Sequence, residues 1–221
     1  MCLVPLVFLI LFKYFPMYGV QIAFREYRIT DGFTNGEWVG LHYFFKFISS
    51  VKFGKIIWNT LILNLYQLMT FPCSLILALM LNYLPLKRYK KFIQTVSYAP
   101  HFLSTVVMCG LVLQFLDPRS GLLNIVRNVF GQESINFMGV QSYWRTIYVL
   151  SGLWQGVGYA SIIYIASLSS VSPELHEAAI CDGASILQRI WHIDIPSVLP
   201  TFCILLIMRC GSRFLMILES F

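Results

Sequence analysis

Three stretches of the chain, residues 56–86, 92–116 and 146–173, contain no Asp, Glu, Lys or Arg, and apolar side chains dominate each of them. A helix of roughly 20 apolar residues spans the hydrocarbon core of a bilayer, so each run predicts a membrane-spanning helix. Residues 3–24 are apolar except for Lys13, whose long stem lets the ammonium face a helix bundle or reach the interface, and they predict a further span. A cleaved signal peptide is the rival reading there. Against it, residues 1–12 lack a basic start, and Phe12-Lys13-Tyr14-Phe15-Pro16 offers no small-residue cleavage site. The last candidate begins near Pro196, runs through apolar 198–208 and meets Arg209, which a span would place at the far interface. The pattern predicts an all-α polytopic bundle, a single transmembrane domain over 1–221. Its spans are expected at approximately 3–24, 58–84, 93–116, 146–168 and 197–216.

Composition agrees. Of the chain, 57% is apolar and only 12% charged, whereas soluble domains carry about 25% charged residues. The net charge of +6 is read as topology rather than as a nucleic-acid footprint. Lys87, Arg88, Lys90 and Lys91 crowd the short loop between the second and third spans, and such clusters stay cytoplasmic. Counting from that loop puts the N-terminus inside, 25–57 and 117–143 outside, and 169–195 inside. Segment 25–57 also carries Arg25, Arg28, Lys46, Lys52 and Lys55, which pull against this frame. Trp58 and Trp144 fall at the expected outer ends, where amphipathic rings sit well. The loop at 117–143 opens with the turn cluster Asp117-Pro118-Arg119-Ser120-Gly121, and the apolar spacing after it predicts a short amphipathic surface helix.

Cys2, Cys73, Cys109, Cys181, Cys203 and Cys210 show neither pairing nor metal-ligand spacing, and they read as small buried hydrophobes. Gly152 and Gly156, extended by Gly158 and Ala160, form a small-residue step that lets a neighbouring helix come close. Pro72 and Pro100 interrupt the second and third spans, each removing a helical hydrogen bond.

Residues 169–196 carry more charge and helix-forming character than a short turn between spans requires. Ser172-Pro173-Glu174 reads as a helix start, with Ser172 as N-cap, Pro173 in the first turn and an acid near the positive end of the dipole. On that helix Leu175, Ala178, Ala179 and Asp182 share one face, open to close approach, and Gly183 ends it. A second, amphipathic helix is expected from about Ala184, and Pro196 marks the start of the last span.

Residues 177–200 read EAAICDGASILQRIWHIDIPSVLP. This string resembles the EAA loop of ABC importer permeases: E-A-A, three residues, G, nine residues, I, one residue, L-P. Glu177, Ala178, Ala179, Gly183, Ile193 and Pro196 match, with Ile195 in place of the Leu. FKYFPMYGVQIAF (12–24), EWVGLHYF (37–44), QTVSYAPHF (94–102) and IYVLSGLWQGVGYASIIYIASL (147–168) are similar to the branch containing the LplB-type polysaccharide permeases and, more distantly, the maltose permeases. The likeness covers roughly 5–211. After Gly211-Ser212 the family usually continues into a sixth span, whereas here SRFLMILESF follows, so truncation or a frameshift is expected.

The resemblance implies a type I importer permease in the bacterial cytoplasmic (inner) membrane, moving a sugar or oligosaccharide. It implies a cytoplasmic ABC ATPase that binds ATP and Mg, a second permease subunit, membrane lipid and an extracellular or periplasmic sugar-binding lipoprotein docking on 25–57 and 117–143. The ATPase-coupling residues are expected to be Glu177, Ala178, Ala179, Asp182, Gly183, Ile193 and Pro196: Glu177 for a polar contact, the alanines for close approach, Gly183 for the bend. No cofactor is expected in this chain, which has no G-x-x-x-x-G-K-[ST] phosphate loop. No substrate site is assigned, although Trp154, Gln155, Tyr159 and Tyr164 lie along the fourth span.

An ion-coupled secondary transporter is the alternative. Such carriers place acids or histidines inside their spans, and the charge-free runs offer only His101. A membrane-embedded zinc enzyme fails because His176-Glu177 lacks the second His of H-E-x-x-H, that position being Ile180.

Overall fold

A computed structural model describes Leu3–Tyr27 and Gly36–Glu219, with side chains through Ser212. Cys2, Arg28 and the side chains of the SRFLMILESF tail beyond Ser212 lie outside the described residues. The chain divides into two compact units, one ending at Thr60 and the other beginning at Leu61.

The first unit opens with a continuous helical rod, Leu3–Phe24. It consists of α1 (Leu3–Leu9), a π turn (Ile10–Tyr14), α2 (Phe15–Met17) and a 3-10 turn (Tyr18–Phe24). The π turn has a local cause. A proline ring clashes with the carbonyl four residues back, and widening the turn before Pro16, with the Phe15 amide donating to Ile10, relieves the overlap. Beyond the rod, Arg25 and Trp38 form an isolated antiparallel bridge. Phe24 stacks on Trp38 at 5.7 Å and the Arg25 guanidinium lies over the same ring at 5.6 Å. Helix α3 (His42–Ile48) follows. Helix α4 (Phe53–Met69) then starts, passing the Thr60 boundary.

The second unit holds the core. α5 (Pro72–Asn82) continues from α4 after a one-turn break, and together Phe53–Asn82 form one span-length helix. Phe71 and Ala78 pack with Tyr164 and Leu168 of α9 (Gln141–Ser169) and Val198 of α12 (Ile195–Glu219). Phe202 closes the cluster, 4.9 Å from the Phe71 ring. Between these elements lie α6 (Lys87–Tyr98), α7 (Thr105–Phe115) and α8 (Leu122–Val129).

The third apolar run is not one straight span. Pro100 sits in a 3-10 turn, Ala99–Phe102, Leu103 and Ser104 are extended, and α7 leaves at 110° to α6. The Ser104 hydroxyl caps α7 by accepting from Val107, which makes the break a designed helix start rather than a kink. The Gln155 side-chain amide donates to the exposed Leu103 carbonyl at 3.2 Å.

The amphipathic helix expected after Gly121 is α8. It is held by buried Asn124, whose amide donates to the carbonyls of Asp117 and Ile135 at 3.0 Å and whose oxygen accepts from the Ile135 amide at 2.9 Å. Asp117 accepts from the Ser120 and Arg119 amides at 2.8 Å, and these bonds hold its carboxyl below the usual range.

The glycine step on α9 acts through Gly158. A Cβ there would overlap the Ser97 carbonyl of α6, whereas Gly152 and Gly156 face open space. The cysteines also differ from expectation. Cys73 is half-buried, but Cys109, Cys181, Cys203 and Cys210 are exposed and none of these five is paired. A span whose outer face meets lipid has no need to bury a small apolar side chain. The same logic covers the whole surface: at most 22% of any candidate span's most apolar window is buried within the chain.

Candidate functional site

The segment between α9 and α12 is an elbow of two helical pieces. α10 (Pro173–Cys181) begins after Ser172, which has extended backbone geometry but makes no side-chain capping bond, so the expected cap is positional only. Pro173 and Glu174 occupy the first turn as anticipated. At the other end Gly183 has φ +76°, the Ala184 amide donates to Ala179 at 2.9 Å and the Gly183 amide to Ile180 at 3.0 Å. That pair of bonds is the Schellman arrangement, which satisfies two terminal carbonyls and favours glycine.

The elbow turns into α11 (Ile186–Arg189) through a capping box. The Ser185 hydroxyl accepts from the Gln188 amide at 3.4 Å, and the Gln188 side chain accepts from the Ser185 amide at 2.7 Å. The second helix of the elbow does not stop at Pro196. It passes through a π turn, Ile190–Asp194, directly into α12, forming one helix over Ile186–Ser212. The Ile195 amide donates five residues back to Ile190, the same accommodation seen before Pro16. The helix that carries the last span therefore starts in the elbow, about ten residues earlier than the proline suggests.

Along α10, Glu174, Leu175, Glu177, Ala178, Ile180 and Asp182 are exposed, while His176 and Ala179 are half-buried. Glu177, Ala178, Asp182 and Gly183 thus lie on the accessible surface, with Ala179 at its edge. Ile193 is half-buried and Pro196 exposed, and both belong to the helix behind the elbow.

One residue on that helix was not singled out by its sequence pattern. Asp194 is fully buried. Its Oδ2 accepts from the Tyr83 hydroxyl at 2.5 Å, its Oδ1 lies 3.5 Å from His176 Nε2, and the Arg189 guanidinium sits 5.5 Å above the Tyr83 ring. Tyr83 follows the last residue of α5. Burial, then the bond to Asp194 and its negative charge, push its hydroxyl up to about 12, so it stays a donor at physiological pH. The signal available in sequence was an acid inside the apolar run Ile193-Asp194-Ile195. The Tyr83–Asp194 bond also brings the end of α5, and with it the Lys87–Lys91 cluster at the start of α6, to the same end of the bundle as the elbow.

The fourth-span candidates for substrate contact separate. Tyr164 is buried in the core and Tyr159 stacks on His101 at 3.9 Å. Gln155 lines a cleft of about 550 Å3 with Gln67, Thr105, Trp144, Tyr148 and Ser151, and Trp154 lines a smaller one of about 370 Å3.

Long apolar helices with exposed outer faces define a multi-pass helical membrane protein. The profile of the binding-protein-dependent transport system inner membrane component family matches residues 70–218, and the chain belongs to that family. It is 39% identical over 207 residues to the polygalacturonan/rhamnogalacturonan transport system permease protein YteP of Bacillus subtilis, covering 93% of this chain and 64% of YteP. Protein LplB of the same organism is also 39% identical, over 95% of this chain and 67% of LplB. Among solved structures, a bacterial ABC transporter that imports the acidic polysaccharide alginate superposes with a TM-score of 0.86 at 36% identity. The match covers all of this chain and 74% of the other. The alginate transporter in complex with an alginate pentasaccharide-bound periplasmic protein gives 0.84.

Proposed function

We propose that this chain is the permease subunit of an ATP-driven importer that carries a saccharide across the cytoplasmic membrane, and that α10 is its docking element for a separate ATPase. The observation that carries the reading is the elbow: an exposed short helix, closed by Gly183, continuous at its far side with a membrane span. A push on α10 crosses one short turn, fixed by the bonds around Gly183 and Ser185, and from Ile186 onward travels through continuous helix.

The residue roles follow from position. Glu177 offers a charge on the exposed face and Ala178 admits a partner backbone closely. Ala179 and Asp182 frame that face, and Gly183 sets the bend. Ile193 and Pro196 shape the helix that leaves the elbow. ATP and Mg would be held by the ATPase. A second permease subunit would complete the pathway, since the apolar faces of a single chain enclose little. A sugar-binding lipoprotein on the outer face would deliver substrate, a reading supported by the periplasmic protein in the related alginate complex. The shared end of the basic Lys87–Lys91 cluster and the elbow supports a cytoplasmic elbow and, by counting spans, a cytoplasmic N-terminus.

The test is uptake of labelled oligosaccharide into proteoliposomes containing the assembled transporter. Glu177→Lys places a like charge where a complementary one is expected, which costs several kcal/mol at an interface, and should cut uptake about tenfold or more. Gly183→Pro should abolish it, because proline cannot adopt a positive φ or supply the amide that bonds Ile180. Both proteins should still insert in the membrane. Unchanged uptake in both would remove the assignment.

A further inference from the structure

We propose that Asp194 is a positioning residue that fastens the docking helix to two membrane spans at once, so that α10, the end of α5 and the base of α12 move as one body. This rests on the importer reading above, and it adds a residue outside the docking surface.

Three elements meet at one carboxylate. Asp194 closes the π turn at the base of α12, Tyr83 is the residue that caps the end of α5, and His176 lies on the inner side of α10. A fully buried carboxylate is costly unless its oxygens are occupied. One oxygen takes the Tyr83 hydroxyl at 2.5 Å; the other is buried without a hydrogen bond and faces His176 Nε2 at 3.5 Å, so that the imidazole of α10 is the group placed to offset it. Arg189, from the helix between α10 and the π turn, lies over the Tyr83 ring and adds positive charge to the same site. Moving α10 away from the other two elements would take His176 from a buried carboxylate oxygen that makes no hydrogen bond. Moving α10 with α5 would strip nothing. The arrangement therefore favours rigid transmission over local yielding.

The π turn supports the same reading. Widened turns are frequent at functional sites, and the one that absorbs Pro196 also leaves Asp194 buried while His192 on the same turn is exposed.

Two measurements on the assembled, reconstituted transporter test the joint. The first is saccharide molecules moved per ATP hydrolysed; the second is amide exchange across 174–182 in the detergent-free complex. Tyr83→Phe removes a single oxygen and keeps the ring, and Asp194→Asn removes the charge while keeping the shape. Both should lower the transported-to-hydrolysed ratio about fivefold or more while ATP hydrolysis continues, and should speed exchange in α10 about tenfold. Asp194→Glu should recover part of the ratio, which a purely packing role would not produce. Should Tyr83→Phe leave both ratio and exchange at wild-type values, the joint is refuted, whatever Asp194→Asn does to folding. If instead the unaltered protein showed no ATP-dependent uptake, the importer reading itself would fail, independently of how exchange in α10 responds.

Discussion

Glycines show how far residue type alone carries. The spacing of Gly152, Gly156 and Gly158 announces a close helix approach, but the position that requires glycine is decided by where α6 crosses, at Ser97. Ser97 lies about sixty residues earlier in the chain, so no local pattern on α9 contains that crossing. Gly158→Ala should destabilise the purified protein by about 1–3 kcal/mol through overpacking against a backbone carbonyl. Gly152→Ala should be neutral or slightly stabilising, since it faces open space and alanine is the better helix former. Denaturation in mixed detergent would rank the three proteins; equal stability of Gly158→Ala and wild type would contradict the crossing. Asp194 carries the same lesson. Its burial follows from register in a π turn and from a tyrosine far away in sequence, so the chain's letters showed an acid in an apolar run but not its partners.

Among elements, those with local chemistry at both ends were legible. α10 is bounded by Pro173 and Gly183, α8 follows the Asp117 turn, and the structure has both where the spacing predicts them. Elements whose limits depend on strain relief were not. Pro196 reads as a boundary, yet the π turn absorbs its ring and the helix runs on from Ile186. Pro100 reads as a kink within one span, yet it ends α6 and the chain leaves at 110°. The positive φ at Gly183 gives a direct element-scale prediction. Gly183→Ala should weaken the end of α10 by about 1–2 kcal/mol, the cost of a left-handed alanine. Exchange of the amides at 183 and 184 should then accelerate about tenfold, and an unchanged rate would mean that the Schellman bonds do not hold that end.

At the scale of the molecule, hydropathy alone yields an all-helical membrane bundle, and the packed structure agrees in class. What it could not supply is which apolar faces meet lipid and which would meet the proposed second subunit, because both kinds are exposed in one chain. The central claim is about sidedness and force: the elbow lies on the cytoplasmic side and receives an ATPase. The most direct measurement is labelling of a single cysteine at Leu175, in an otherwise cysteine-free chain, by a membrane-impermeant thiol reagent in vesicles of each orientation. The account predicts reaction only in inside-out vesicles and protection when the cognate ATPase is bound. Reaction from the outer side, or equal reaction with and without the ATPase, would contradict it.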